Sequence, residues 1–172
     1  ISSPTEHHCV LHSLDSIGKQ EDQVEIVHVK LNEKGQVDMD HLRSLLADQA
    51  QKTMVSLMHS NNEVGTMIDL SEIGALCQEH GAYFHSDTVQ TMGYYPIDVE
   101  ATAISFLSGA AHKFYGPKGV GFIYINGDNI IQPFLDGGAQ ERNMRAGTEN
   151  TYGIVGMAKA LDMAYQERAE RE

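Results

Sequence analysis

The chain has 172 residues, 41% of them hydrophobic and 21% charged, with a net charge of −12 from 12 basic and 24 acidic side chains. That composition excludes a disordered chain and provides for one domain with a substantial core, while the acidic balance argues against non-specific binding to nucleic acid or to anionic membranes. No apolar run reaches the roughly 18 residues of a membrane span and no stretch resembles a signal peptide; Cys9 and Cys77 have neither metal nor disulfide spacing, which predicts a reducing, cytoplasmic setting.

In chain order, Ile1-Ser2-Ser3-Pro4 opens without a methionine and in mid-pattern. The far end stops inside a helical pattern at residue 172, so the expectation is a piece of a longer protein. Pro4 suits a helix start and predicts a short helix over 5–14. Residues 24–29 alternate apolar and polar side chains, as a half-buried strand does. Asn32-Glu33-Lys34-Gly35 turns the chain, and Asp38 is placed to cap a helix carrying Met39, Leu42, Leu45 and Leu46. A second strand is expected over 53–58, followed by the polar loop 59–65. Asp69 caps the next helix, whose Leu70, Ile73, Leu76 and Cys77 share one face, and Gly81 ends it. Strands over 82–85, 103–107 and 120–125 follow. A last helix presents Ile154, Met157, Ala158, Leu161 and Tyr165 as one stripe. Strand alternating with helix in this way predicts an α/β fold, a mostly parallel central sheet with flanking helices, formed by 1–172 as a single domain.

The chemistry gathers at strand ends. Lys113 follows an apolar strand and precedes the turn Gly116-Pro117-Lys118-Gly119, where side chains of α/β proteins commonly meet ligands. A lysine amine there can attack an aldehyde once partial burial or a neighbouring charge lowers its pKa. Asp87, 26 residues earlier, ends another apolar strand. Taken singly, a lysine is usually a solvated loop residue and an aspartate here caps a turn. The Gly-Pro-Lys-Gly turn lacks the Gly-Lys-Ser/Thr of a nucleotide P-loop. Nine histidines suggest metal at first sight, yet only His8 and His12 have helical ligand spacing, and no third ligand accompanies them, so no metal site is expected.

Together the two stretches resemble the pyridoxal-phosphate (PLP) site of the cysteine desulfurases, in the class V aminotransferase superfamily. The resemblance runs from Thr5-Glu6-His7 to the last helix. It implies the large PLP-binding domain of a fold type I enzyme, with the family's N-terminal segment and C-terminal small domain outside this chain. On that resemblance Lys113 carries PLP as a Schiff base, Asp87 pairs with the pyridine nitrogen, and Gln90 and Asn62 face the phenolic oxygen. His7, in Thr5-Glu6-His7, stacks on the ring and assists proton transfer. His112 helps hold the phosphate, although the family's serine two residues before it is Ala110 here, which leaves Ser108 as a replacement. The segment running from Gly137 to Thr148 resembles one in which Thr148 reaches the phosphate of a neighbouring subunit, implying a homodimer.

The implied activity of the full-length parent converts L-cysteine to L-alanine and passes the sulfur as an enzyme persulfide to an acceptor or scaffold protein, for iron–sulfur cluster or other sulfur biosynthesis. In the family the persulfide cysteine and the substrate-carboxylate arginine lie beyond residue 172, and a phosphate-binding glycine segment precedes residue 1. Cys77 is expected to be buried and inert, and Cys9 to lack a cationic activator, so the chain by itself is expected to be inactive. The alternatives are selenocysteine lyase or another class V PLP enzyme. From a different class comes a cofactor-free module that binds partner proteins through its acidic surface.

Overall fold

A computed structural model describes residues 1–47 and 51–171, with side chains through residue 168; residue 172, where the expected helical pattern ends, lies outside it. The helices are α1 (His8–Gln20), α2 (Met39–Leu46), α3 (Leu70–Glu79) and α4 (Thr151–Arg171). The strands are β1 (Met54–Ser56), β2 (Tyr83–Asp87), β3 (Phe106–Ala110) and β4 (Gly121–Ile125). They form one sheet in the order β1-β2-β3-β4, the first three parallel and β4 antiparallel to β3. The mostly parallel sheet with flanking helices matches the expected class.

Burial follows the alternation of β2. Phe84 and Ser86 are fully buried towards the main core, whereas Tyr83 and His85 lie on the less covered side. That core joins Val55, Leu57 and Leu107 to Ile73, Leu76 and Cys77 of α3 and to Leu42 and Leu46 of α2. Both predicted aspartate caps form. Asp38 accepts from the His41 N–H at 3.0 Å, and Asp69 accepts from the Ser71 and Glu72 N–H groups at 2.8 and 3.1 Å. α3 lies so close to the 102–103 backbone that a Cβ on Gly74 would run into the Thr102 carbonyl.

Several boundaries differ from expectation. Residues 24–29 form no strand: Ser2 makes single parallel bridges to His28 and Ser56. Of the segment's apolar residues only Val29 is buried, while Val24 is exposed. The pairing stops because the chain turns at Pro4, which has no N–H to give a ladder. α1 begins at His8 rather than near Pro4, with His7 as its N-cap accepting the Cys9 N–H. It runs on to Gln20 with no buried residue. β3 starts later than expected because Ala103 takes a left-handed φ of 48°, which breaks extended backbone there. β1 is shorter than the expected 53–58, although ladder-like bonds continue from Leu57 N–H to His85 O and from His59 N–H to Asp87 O.

A three-way junction forms at Gly93, φ 84°, where a Cβ would lie 2.9 Å from the Phe114 Cβ and 3.2 Å from the Ala164 Cβ. The turn after β2, the turn after β3 and α4 all meet at this point.

Candidate active site

The ends of β2 and β3 carry the candidate residues. Asp87 is the last residue of β2, 5% exposed, and its register partner on β3 is Ser108. One carboxylate oxygen accepts the Val89 N–H at 2.9 Å, which is the turn-capping role an isolated aspartate would play. Among the described residues no other hydrogen bond engages that carboxylate. Thr88 locks the strand end to β3, giving both its N–H (3.0 Å) and its hydroxyl (2.8 Å) to the Ser108 carbonyl.

β3 runs straight into a 3-10 turn, Ala111–Phe114, that holds His112 and Lys113. The turn is anchored by the buried Ala111 and Phe114. Tyr115 then adopts the left-handed conformation, and Gly116 N–H returns to the Ala111 carbonyl at 2.8 Å. Lys113 is half-buried, and among the described residues its ammonium makes no ion pair. The Tyr94 hydroxyl donates to its carbonyl at 3.1 Å. Lys113 and Gln90 line one open cleft with Tyr94, Tyr95 and Arg168.

His7 reaches the same neighbourhood from another direction. It caps α1 through Nδ1, and its neighbours Glu6 and Cys9 both feel the charge of Asp87. The Cys9 sulfur lies 3.0 Å from His7 Nδ1. Burial, reinforced by Asp87, raises the Cys9 thiol above its ordinary range. Cys77 is buried on α3 as expected, and burial pushes its thiol up to about 12.

The 61–65 loop sorts its two asparagines. Asn61 makes the turn, accepting from Glu63 and Val64 N–H at 2.8 Å and donating to the Thr5 carbonyl at 2.7 Å. It thereby ties the loop to the His7 segment, while Asn62 stays exposed with no hydrogen bond among the described residues. His112 and Thr148 are likewise exposed, and neither lines the Lys113 cleft. Ser108, considered as a replacement for the serine missing at Ala110, has its hydroxyl 3.5 Å from His85 Nε2 on the sheet face instead.

Three residues escaped the sequence reading. Glu6 is 5% exposed; one oxygen accepts the Met58 N–H at 2.6 Å and the other has no partner among the described residues. Burial, with a further push from Asp87, raises its carboxyl to about 7 against the pull of the Met58 bond. His59 Nδ1 lies 2.8 Å from the Thr91 hydroxyl, and His85 Nδ1 lies 2.9 Å from the Ser56 hydroxyl. Burial lowers both histidines below their usual range. Their only trace in the sequence is position, beside one strand end and within another.

The chain as a whole is similar to known proteins. Residues 1–171 match the aminotransferase class-V family model. The chain belongs to that family. It is 44% identical over 170 residues to a cysteine desulfurase IscS of Dictyoglomus turgidum, an alignment covering 97% of this chain and 41% of the relative. In fold it is similar to a NifS-like protein from Rickettsia africae, with a TM-score of 0.90, 32% identity, and coverage of 98% of this chain and 46% of the other. It is also similar to SspA, solved in complex with cysteine, at a TM-score of 0.84, 31% identity, and coverage of 94% and 46%. The chain therefore spans less than half the length of these relatives.

Class-V enzymes depend on PLP, and the class-V chain has groups that fit it. Asp87 is a buried carboxylate of the kind that would face a protonated ring nitrogen. Lys113 is a half-buried amine of the kind that would meet the aldehyde, in a cleft it shares with Gln90. The phosphate end is less provided for, since Ala110 has no hydroxyl and Ser108 is turned to His85. Among the described residues no three His, Cys, Asp or Glu side chains gather into a cation-binding group.

Proposed function

We propose that the full-length parent is a PLP-dependent cysteine desulfurase, converting L-cysteine to L-alanine and passing the sulfur on as an enzyme persulfide. Residues 1–172 form one domain of it, part of the large PLP-binding domain. The observation carrying this reading is that Asp87 and the Lys113 turn stand at the ends of neighbouring parallel strands, with Gln90 and Lys113 on one cleft. The similarity to proteins named cysteine desulfurase supports the substrate, as does the similarity to one solved with cysteine.

Bound PLP supplies an electron sink for charge developing at the substrate Cα. The chain's own groups do the rest. Lys113 would hold the cofactor through its side-chain amine. Asp87 would keep a proton on the ring nitrogen. Gln90 and Asn62 would donate to the phenolic oxygen, and His112 and Thr148 would hold the phosphate, the latter across a homodimer. His7 would cover the ring and handle a proton at the substrate. The persulfide then goes to an acceptor or scaffold protein, in a cytoplasmic setting, for iron–sulfur clusters or other sulfur products.

The test is Lys113→Ala in the full-length parent. The expected outcome is loss of the violet-edge absorbance that PLP gives on an amine, loss of the borohydride-fixed adduct on the Lys113 peptide, and no turnover. A reducible adduct on a different lysine would sink the assignment. Faster turnover of selenocysteine than of cysteine by the wild type would instead identify a selenocysteine lyase.

A further inference from the structure

Two groups of one residue converge on a single atom of His7. The backbone N–H of Cys9 donates to His7 Nδ1 at 3.2 Å, and the Cys9 sulfur lies 3.0 Å from that same nitrogen. A backbone N–H can only donate. Nδ1 therefore presents its lone pair, and the proton of the neutral ring sits on Nε2. The thiol must then approach through its hydrogen, because a thiolate would set two lone pairs against each other.

We propose that Cys9 is a positioning residue for His7, its thiol and backbone N–H together clamping Nδ1 so that Nε2 alone is left, protonated, to serve the substrate. This rests on the reading of His7 as the ring-covering, proton-handling residue. The surroundings agree with a protonated thiol: burial and the charges of Asp87 and Glu6 raise the Cys9 thiol, against the smaller pull of the Val10 and Cys9 backbone N–H groups. His8, whose ring centroid is 6.2 Å from that of His7, is the other titratable group nearby. Both donors belong to the first turn of α1, so the ring is fixed to a helix rather than to a loop. An aliphatic residue at position 9 would keep the backbone donor and lose the thiol.

The experiment is long-range proton–nitrogen correlation NMR on the 172-residue chain labelled with nitrogen-15 histidine, without cofactor. In wild type, His7 is expected to show a pyridine-like Nδ1 and a protonated Nε2. Cys9→Ala should move the tautomer ratio about fivefold towards Nδ1–H, the effect of one ordinary hydrogen bond. Cys9→Ser, which restores a donor, should bring it back. Unchanged His59 and His85 signals report that the variants keep the fold. Since no PLP is present, the outcome is independent of whether the parent is a desulfurase, which the Lys113 adduct decides. A wild-type His7 protonated on Nδ1, or a Cys9→Ala ratio equal to that of wild type, overturns the proposal.

Discussion

Glu6 is the residue on which pH acts most directly. Its folded pKa of about 7 lies above the ordinary 4.5, so the folded chain holds this proton more tightly than the unfolded chain does. The stabilisation is fully present below about pH 4.5 and is lost as pH rises through about 7. The shift corresponds to about 3 kcal/mol. Glu6→Gln keeps an oxygen for the Met58 N–H and removes the titration. Urea unfolding at a series of pH values should show the variant gaining on wild type by about that amount between pH 4.5 and 8; parallel curves would mean the carboxyl is hydrated and ordinary. No local pattern marks Glu6, because its burial comes from Met58, 52 positions away. The strand-end positions of Asp87 and Lys113 were legible because each follows an apolar strand closely. The division of labour between Asn61 and Asn62 was not, since an Asn-Asn pair reads the same whichever member makes the turn.

At the scale of elements, what local chemistry determines was legible and what partners determine was not. Asp38 and Asp69 cap their helices because capping needs only the next few N–H groups. The 24–29 segment failed as a strand because extended backbone needs a partner of matching length, and Ser2 offers one bridge. α1 was expected short and became long without burying a residue. α3 passes close to the 102–103 backbone at Gly74. A methyl group on Gly74 meets the Thr102 carbonyl, backbone that cannot swing aside as a side chain would. Gly74→Ala should therefore destabilise by about 3 kcal/mol or more, despite the better helix propensity of alanine. A lower urea midpoint at unchanged slope is the expected reading; a midpoint at or above that of wild type would show that α3 can shift.

For the whole molecule, the prediction concerns what this stretch of chain can do unaided. It holds two thiols, Cys77 buried and raised to about 12, and Cys9 raised above its ordinary range by burial and the charge of Asp87. Neither presents a ready thiolate near neutral pH. Given PLP, L-cysteine and a reductant, the 172-residue chain should release no sulfide above a protein-free control. Release that disappears in Cys9→Ser would show that this thiol serves as the nucleophile. The α/β class was legible because the order of apolar segments survives errors in their ends. The exposed Ile130, Phe134, Tyr152 and Val155 were not singled out, since side chains that cover nothing within the chain look in sequence like any core residue.

The Gly93 junction sets where this protein can be cut and reassembled. The Gln90 turn, the Lys113 turn and α4 share that contact, so a two-piece complementation pair must keep all three on one piece. A break within 126–150 parts α4 from the sheet, and the longer piece then lacks Arg168, one wall of the Lys113 cleft. A break within 21–37, between α1 and α2, leaves the junction whole and takes away only the arm that bears His7.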